Sequence, residues 1–418
     1  MAILDAKIET AHRDEIRQVQ LEKLQATLNR AYRHVTYYRE VFDMAKLLPE
    51  DIRFLEDISR VPLTNRDDLL AHQPYGLFAV PLHDVLRLHP AAGAGGPIMV
   101  GYTRNDIGAG RRMAARALAS AGVKKDDVIL LLLDYAFGPA AMVTQSGADA
   151  LESSLSPCAG LAPERQADIM QNYRATILAA TPSQALQLGH AMQGRDAAAS
   201  TLRITFIVTE VWSAELQKEI ENLLQVEAFG SYGISEMTVP GTATECEQHN
   251  GLHIDEQNVI AETINPATGA TLPPGEKGEL VLTTLTREAV PMIRYRTGDI
   301  TVLHEEECAC GRTFLRMEPP SARADDVVMV NNVRVWPAQI KELVQHFLPN
   351  AQCSIQAIES EGRDELEILI GLDPTWFTDT MRDLQQLRDH IKARIFERLS
   401  MVSNIRLVEP GHLKDPNK

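Results

Sequence analysis

Apolar residues recur every three or four positions between residues 11 and 43, in the pattern of amphipathic helices. From about Leu86, short apolar runs alternate with helical segments, and the run DDVILLLL (residues 126–133) is typical of a buried strand. The helix before this run should end at Gly122, because glycine is the usual residue just past a helix C-terminus. The alternation predicts an α/β fold with a parallel sheet covered by helices.

The pattern changes again near Thr242, where strands are separated by Pro/Gly turns, as in NPATGATLPPGEKGELVLTTL. After Pro319, DDVVMVNNVRVWP predicts a hairpin with its turn at the two asparagines. CSIQAIESEGRDELEILIGLD predicts two strands around ESEG, and a long amphipathic helix and a last strand follow. We therefore expect two domains, residues 1–320 with helix-covered sheets and a β-rich subdomain, and residues 321–418 with a small α+β fold.

Composition is that of a soluble globular protein with a large core, because the 418 residues are 44% hydrophobic and 23% charged. A formal net charge of −16 argues against non-specific nucleic-acid binding, which needs a cationic surface. The most apolar run (residues 128–143) is interrupted by Asp134, Gly138 and Pro139, so no membrane span is expected. The first residues do not have the pattern of a signal peptide, and the cytoplasm is the expected location.

The stretch HPAAGAGGPIMVGYT (residues 89–103) is glycine-rich, like a phosphate-binding loop, and leads into a strand-like run. It does not fit the dinucleotide motif, because Ile98 stands at the third glycine position, and it lacks the Gly-Lys-Ser/Thr of a Walker loop. The residues alone therefore favour a structural turn over a nucleotide loop.

Two further stretches contain residues suited to nucleotide binding. In GSYGISEM (residues 230–237), small residues let the backbone approach a ligand, an aromatic face can stack on a base, and a carboxylate can hold magnesium. The alternative is a tight turn with a core tyrosine. In IRYRTGD (residues 293–299), we expect Arg294 and Arg296 on one face of a strand that Asp299 ends, where a carboxylate can grip a ribose diol. The alternative is a salt-bridged strand end.

The five cysteines do not suggest a disulfide framework, because their number is odd in a large chain with no visible secretory signal. CEQHNGLH (residues 246–253) and CACG (residues 308–311) supply three thiols and two imidazoles. Three thiolates and one imidazole make a closed tetrahedral zinc site of the structural type, and the alternative is free thiols near a surface loop. Cys158 and Cys353 are expected to be buried small apolar groups.

In this order, the stretches closely resemble the phenylacetate–coenzyme A ligase family, a branch of the adenylate-forming enzymes. The resemblance covers nearly the whole chain, through QLEKLQATLNRAYRHVTYYREVFD, PYGLFAVPL, TPSQAL, YGISEM, GLHI, GELVLTTLTREAVPMIRYRTGD, CACGRTFLRM and VRVWPAQIKELV. It implies the adenylate-forming fold, with residues 321–418 as a mobile lid. It also implies that an aromatic or related carboxylic acid is joined to AMP with ATP and magnesium and is then passed to coenzyme A.

The resemblance further implies roles for residues that match the family's motifs. The implied nucleotide-binding residues are Glu210, Ser231, Tyr232, Gly233, Glu236, Asp299 and Arg323. Tyr232 would lie against the adenine, and Asp299 would take the ribose hydroxyls. Glu236 would hold magnesium, and Glu236 and Arg323 are the implied catalytic residues.

The remaining implied positions belong to the hinge, the acyl pocket and the metal site. Asp325 would be the hinge between the domains. The acyl pocket would be lined by Tyr135, Phe137 and Gly138. The structural zinc ligands would be Cys246, His253, Cys308 and Cys310. His253 is preferred to His249 because GLHI is the family's phrase.

Three departures from the family concern catalytic elements. The family's phosphate loop reads Ser-Ser-Gly-Thr-Thr-Gly-Lys-Pro, whereas residues 91–97 read Ala-Ala-Gly-Ala-Gly-Gly-Pro. Each lost contact to a charged phosphate costs about 1.5–3 kcal/mol, which would slow adenylation. Asn331 and Asn332 replace an Arg-Gly pair, and the family's C-terminal catalytic lysine is not identified, because Lys414 and Lys418 do not stand in its motif.

Two classes of function therefore stay open. The first is an adenylate-forming acid–thiol ligase. The second is an impaired homologue that binds a nucleotide, acyl-adenylate or acyl-CoA as an accessory protein. A third idea is transfer of the acyl group to a carrier protein or an amine. The expected partners are a small carboxylic acid, a nucleotide, coenzyme A or a carrier, and a second copy in a homodimer, but neither nucleic acid nor a membrane.

Overall fold

The computed structural model describes residues 3–91, 97–136, 139–195, 200–208, 212–237, 240–324, 328–330, 333–335, 337–348, 351–360, 363–372, 381–399 and 401–408. These residues form two compact units, one that ends at Ala324 and one that contains residues 328–408. No helix in these ranges is both long enough and apolar enough to cross a membrane. The roles assigned above to two domains stay predictions.

The first unit contains nine of the helices described here, and the second contains two. They are α1 (Ala6–Glu9), α2 (Arg13–His34), α3 (Thr36–Met44), α4 (Arg66–Ala71), α5 (Arg104–Ser120), α6 (Ala140–Leu151), α7 (Pro163–Asn172), α8 (Pro182–Met192), α9 (Ala214–Leu224), α10 (Pro337–Phe347) and α11 (Met381–Leu399). The helical pattern of residues 11–43 is confirmed by α2 and α3. Along α2, Ile16, Leu24, Leu28 and Ala31 are buried at helical spacing, which is the stripe that packs on the core.

Strands in the first unit make a hairpin and one large mixed sheet. They are β1 (Arg87–Ala91), β2 (Ile98–Tyr102), β3 (Val128–Leu131), β4 (Ser154–Pro157), β5 (Ile177–Ala180), β6 (Ile204–Val208), β7 (Glu227–Tyr232), β8 (Ala243–Glu245), β9 (Leu252–Ile254), β10 (Val259–Ile264), β11 (Thr271–Leu272), β12 (Lys277–Thr284), β13 (Tyr295–His304), β14 (Arg316–Met317) and β15 (Ala322–Arg323). The large sheet has the order β11-β10-β12-β13-β14-β9-β8-β7-β6-β5-β3-β4, and β15 pairs with β13.

Parallel pairing joins β4, β3, β5, β6 and β7, as the alternation of strands and helices predicted. Leu130 and Leu178 pack in one core cluster, whereas Ile129 and Ile177 pack in a second cluster. Both faces of this part of the sheet are therefore buried, which explains its continuous apolar runs. Gly122 follows α5 with φ of 88°, a left-handed conformation that glycine adopts without strain, so the predicted helix end is confirmed.

Strands of the first unit from β7 onward pair antiparallel, and two predictions about β13 and the residue before it are wrong. Asp299 does not end its strand, because β13 continues to His304, and Asp299 pairs with Arg323 of β15. The expectation that Arg294 and Arg296 share a strand face is wrong, because Arg294 precedes β13 with φ of 45°, outside the extended conformation. Arg294 instead forms a buried ion pair with Glu262, at 2.9 Å between Nη2 and Oε1.

The second unit confirms the α+β pattern of its sequence. Its strands are β16 (Val328–Val330), β17 (Val333–Val335), β18 (Gln352–Ser360), β19 (Arg363–Gly371) and β20 (Ser403–Val408). The first two pair antiparallel, as do β18 and β19, and β20 joins β19 in parallel. The two asparagines at the predicted hairpin turn lie outside the described residues.

Candidate functional site

The carboxylate of Asp299 connects three segments of the first unit. The Tyr232 hydroxyl at the end of β7 donates to Oδ2 of Asp299 over 2.6 Å. Arg323 Nη1 donates to Oδ1 over 2.5 Å, and Arg323 Nη2 donates to the carbonyl of Thr297 over 3.0 Å. Asp299 is almost completely buried, at 2% exposure, so it needs these donors. The structure thus brings together three of the residues predicted to bind a nucleotide.

Glu236, the predicted magnesium ligand, lies in the loop after β7 and contacts the same strand as Asp299. Its Oε1 lies 3.3 Å from the hydroxyl of Tyr295, at the start of β13, and accepts from Arg66 Nη1 over 2.5 Å. Arg66 begins α4, 170 residues earlier in the chain. Tyr232 at the end of β7 contacts Asp299, and Glu236 in the loop after β7 contacts Tyr295, so the strand and its loop are each attached to β13.

Gly230 lies in β7, shortly before this loop, and its contacts hold the strand in place. A Cβ at Gly230 would lie 1.9 Å from Cζ2 of Trp212, so the indole ring occupies the space that a side chain would need. The Gly230 amide donates to Glu245 Oε2 of β8 over 2.7 Å. The strand therefore packs on one side against the segment that precedes α9, and it donates a hydrogen bond to the buried carboxylate of Glu245.

Ser231 and Gly233 flank Tyr232 but differ in environment. The Ser231 hydroxyl is buried, lies 2.9 Å from Thr244 Oγ1, and accepts from the Gly241 amide over 3.2 Å. Gly233 follows β7 and is half-buried. The Ser231 side chain therefore joins β7 to β8, while the predicted nucleotide contact of both residues stays a prediction.

Arg287 is a residue of this region that the sequence patterns missed. Its Nη1 donates to the carbonyl of Met237 over 3.1 Å, and its Nη2 donates to the carbonyl of Gly101 in β2 over 2.9 Å. Its guanidinium carbon lies 4.2 Å from the ring centroid of Tyr102. Arg287 thus joins the loop after β7 to the strand that follows the glycine-rich stretch, and the aromatic contact adds to this attachment.

Cys246, His253, Cys308 and Cys310 lie in one cluster, and their ligand atoms are all within 4.8 Å of one another. Sγ of Cys246 is 3.8 Å from Sγ of Cys308, and Sγ of Cys310 is 3.4 Å from Nε2 of His253. Tetrahedral zinc with sulfur ligands at about 2.3 Å separates two sulfurs by about 3.8 Å, and a sulfur from an imidazole nitrogen by about 3.6 Å. The donor types and these distances fit a zinc ion.

The thiols of Cys246 and Cys310 are electrostatically coupled. A hydrogen bond to Cys246 lowers the pKa of Cys310, and the same contact raises the pKa of Cys246. Because a metal ion binds cysteine as the thiolate, binding to this cluster would release protons.

His249 lies outside this cluster. Its Nε2 is 3.2 Å from Glu227 Oε1, and its ring stacks on Phe229 with centroids 4.9 Å apart. A hydrogen bond to Glu245 raises the pKa of His249 to about 9, with a second contribution from Glu227. The two histidines of CEQHNGLH thus have different partners, since only His253 joins the three thiols.

Of the predicted acyl-pocket residues, only Tyr135 is described. It follows β3, its hydroxyl donates to Gln145 of α6 over 2.6 Å, and burial raises its pKa. Its ring packs against the core cluster that contains Ile129, on the face covered by α5 and α6. The predicted positions that lie outside the described residues are Phe137, Gly138, Glu210, Asp325 and the glycine-rich residues 92–96.

Comparison with known proteins identifies the family. Residues 109–285 match the sequence profile described as AMP-binding enzyme, and residues 332–418 match that described as AMP-binding enzyme C-terminal domain. The fold and these matches define the class of AMP-binding enzymes. The chain is 34% identical to the phenylacetate-coenzyme A ligase of Thermus thermophilus, over 97% of this chain and 95% of that protein. It is also 34% identical to the Escherichia coli phenylacetate-coenzyme A ligase, over 97% and 94%. The chain belongs to the phenylacetate–coenzyme A ligase family.

A solved structure with a similar fold is that of 2-hydroxyisobutyryl-CoA ligase in complex with 2-HIB-AMP and CoA. The TM-score is 0.88, with 23% sequence identity, and the match covers 99% of this chain and 90% of that one. At this identity the likeness is evidence of the fold alone.

Proposed function

We propose that the chain is an adenylate-forming acid–coenzyme A ligase that acts on phenylacetate or a related aromatic acid. The substrate carboxylate attacks the α-phosphorus of ATP and displaces pyrophosphate, which leaves an acyl-adenylate. The thiolate of coenzyme A then attacks the acyl carbon and displaces AMP. The observation that carries the proposal is the buried Asp299 carboxylate, held by Tyr232 and Arg323, on the strand whose Tyr295 contacts Glu236. Relatives named phenylacetate-coenzyme A ligase support the same reaction over nearly the whole chain.

Asp299 is proposed to accept hydrogen bonds from the 2′- and 3′-hydroxyls of a ribose. Tyr232 donates to its Oδ2 and Arg323 donates to its Oδ1. These donors would fix the direction of the carboxylate before the nucleotide arrives. Such preorganisation lowers the cost of binding.

Glu236 suits a magnesium ion that is held mainly by phosphate oxygens. Magnesium in such sites commonly takes one or two carboxylates and keeps several waters. Arg66 now supplies the positive charge next to Glu236. We propose that Glu236 holds the ion on its remaining acceptor positions, while Arg66 keeps the carboxylate oriented. Bound there, magnesium would neutralise charge on the phosphates.

The Cys/His cluster is proposed to hold one structural zinc ion through Cys246, His253, Cys308 and Cys310. Four protein ligands leave no open position, so this site would stabilise the fold and take no part in the reaction. Metal analysis of the purified chain should give about one zinc per chain. Cys308→Ser should lose it, whereas Cys158→Ser, at a buried cysteine outside the cluster, should retain it. Equal zinc content in both variants would contradict the assignment.

Product analysis tests the proposed reaction. The purified protein is incubated with ATP, magnesium, phenylacetate and coenzyme A, and we expect the acyl-CoA and AMP in equal amounts by mass spectrometry. Adenylation without a thioester would instead favour a carrier protein or an amine as acceptor. If no acid in an aryl panel yields AMP, yet calorimetry detects binding of AMP or acyl-CoA, the chain is a binding protein and the proposal is wrong. Location in the cytoplasm and assembly as a homodimer stay predictions.

A further inference from the structure

A small cavity lies next to the Cys/His cluster, within the first unit. It lies where α5 meets β8, β9 with Asp255 just after it, and the residues that follow Cys310. The polar residues on which the inference depends are Arg116, Thr244, His253, Asp255 and Arg312, and each of them is buried. The volume is about 20 Å³, and about 10–15 Å³ is enough for one water molecule.

Two buried donors beside this cavity have no hydrogen-bond partner among the described residues. They are Nδ1 of His253 and Nε of Arg116, and the latter has an ion-pair contact with Glu9 at 3.4 Å but no hydrogen bond. His253 is only 6% exposed, and its Nε2 is directed to Cys310, so Nδ1 lies on the other side of the ring. A buried polar group without a partner is costly, and such groups normally bind ordered water when protein supplies no partner.

Charges around the cavity are already balanced, which favours a neutral occupant. Arg116 Nη1 lies 2.5 Å from Asp255 Oδ2, and Arg116 Nε lies 3.4 Å from Glu9 Oε1. Arg312 Nε lies 2.7 Å from Glu9 Oε2. Two guanidinium groups thus face two carboxylates, so neither an anion nor a second cation is required.

We propose that the cavity holds one ordered water molecule that serves as the hydrogen-bond acceptor for Nδ1–H of His253. The water accepts from His253 and from Nε of Arg116, and it can donate to the Asp255 carboxylate and to Thr244 Oγ1. Through this contact it holds His253 in the tautomer whose Nε2 faces the three sulfurs. A second partner of this kind is what orients imidazole ligands in metal sites. The part of the proposal that concerns zinc affinity rests on the zinc site proposed above.

A crystal structure of the purified chain tests the water directly. We expect a single density peak about 2.7–3.2 Å from both His253 Nδ1 and Arg116 Nε, whether or not zinc is bound. An empty cavity, or a peak that anomalous scattering identifies as chloride or a metal, would overturn the proposal.

Zinc affinity tests the orienting role, by competition with a chromophoric chelator. Ala117 lines the cavity, so Ala117→Val should displace the water and weaken zinc binding about 10-fold, the lower end for outer-shell losses. Ala109→Val, on the same helix but outside the cavity lining, controls for the general cost of a larger side chain and should leave zinc affinity unchanged. Ala117→Ser adds a smaller group and is used if the valine variant does not fold. A smaller loss of zinc affinity is then expected. If the serine hydroxyl takes the place of the water in the electron density, zinc affinity should be retained. Unchanged affinity in Ala117→Val, with the water absent, overturns the orienting role. A chain that binds no zinc at all refutes the metal site instead, and the density then decides on the water.

Discussion

The Tyr232→Phe substitution tests how the nucleotide site is held in place. It removes one hydroxyl and keeps the ring, so the 2.6 Å hydrogen bond to Asp299 is lost. Asp299 keeps its contact with Arg323. The buried carboxylate therefore loses one of its donors and stays paired with a cation.

The expected cost follows from the kind of bond that is lost. Hydrogen bonds to charged groups contribute about 1.5–3 kcal/mol, and we expect the lower value because the arginine remains. Stability of the first unit should then fall by about 1.5 kcal/mol. Asp299 would also be less well oriented for a ribose, so the dissociation constant for AMP should rise about 10-fold, since 1.4 kcal/mol is a factor of ten.

Calorimetric titration with AMP in the absence of magnesium measures the affinity, and urea unfolding measures the stability. Tyr295→Phe is the matched control, because its hydroxyl contacts Glu236 at 3.3 Å and leaves Asp299 untouched. The control should bind AMP about as well as the unaltered chain. If Tyr232→Phe binds AMP equally well or more tightly, the hydroxyl does not orient Asp299 for a nucleotide, and the reasoning is refuted.

Three further substitutions test other parts of the account. Gly230→Ala places a methyl group 1.9 Å from Trp212 and should lower the free energy of unfolding by about 2–4 kcal/mol. A lower melting temperature would show this loss. An unchanged melting temperature would mean that the indole can move freely. Arg66→Ala leaves the buried Glu236 carboxylate without this cation and should cost about 2 kcal/mol, less than for a fully buried pair. Added magnesium should restore part of that stability, and failure to do so would argue against a magnesium site there. The pKa of His249 is raised to about 9 from an ordinary 6.5, so its stabilising effect is fully present below about pH 6.5 and is lost as pH rises through about 9. His249→Gln should therefore be destabilising by about 1 kcal/mol at pH 6 and nearly neutral at pH 10. The effect is modest because His249 and Glu227 are partly exposed. An equal loss of stability at both pH values would contradict this.

The parallel half of the large sheet could be predicted from the sequence because burial on both faces produces unbroken apolar runs such as the one containing Leu130. The antiparallel half was harder to predict. Its strands vary in length from two residues in β11 to ten in β13. The prediction that Asp299 ends a strand failed because a register shift between Glu279 and Val281, together with Gly298 at φ of 76°, lets the strand continue.

Site residues within local motifs could be identified, whereas isolated partners could not. Tyr232, Glu236 and Asp299 stand in stretches whose composition suggests a ligand. In the structure Tyr232 contacts Asp299, and Glu236 contacts Tyr295 of the same strand. Arg66 stands in no recognised motif, and Arg287 stands in the stretch GELVLTTLTREAVPMIRYRTGD without a role assigned to it. Arg66 contacts Glu236, 170 residues away, and Arg287 contacts Met237 and Gly101, 50 and 186 residues away, so only the folded chain reveals these contacts.

Exchange of labelled pyrophosphate into ATP tests the central claim most directly, because it detects formation of the acyl-adenylate without requiring an acceptor. The account predicts exchange that depends on both phenylacetate or a related aryl acid and magnesium, and that falls sharply in Glu236→Gln. Absence of exchange with every acid tested, in protein that is folded and binds AMP, would contradict it.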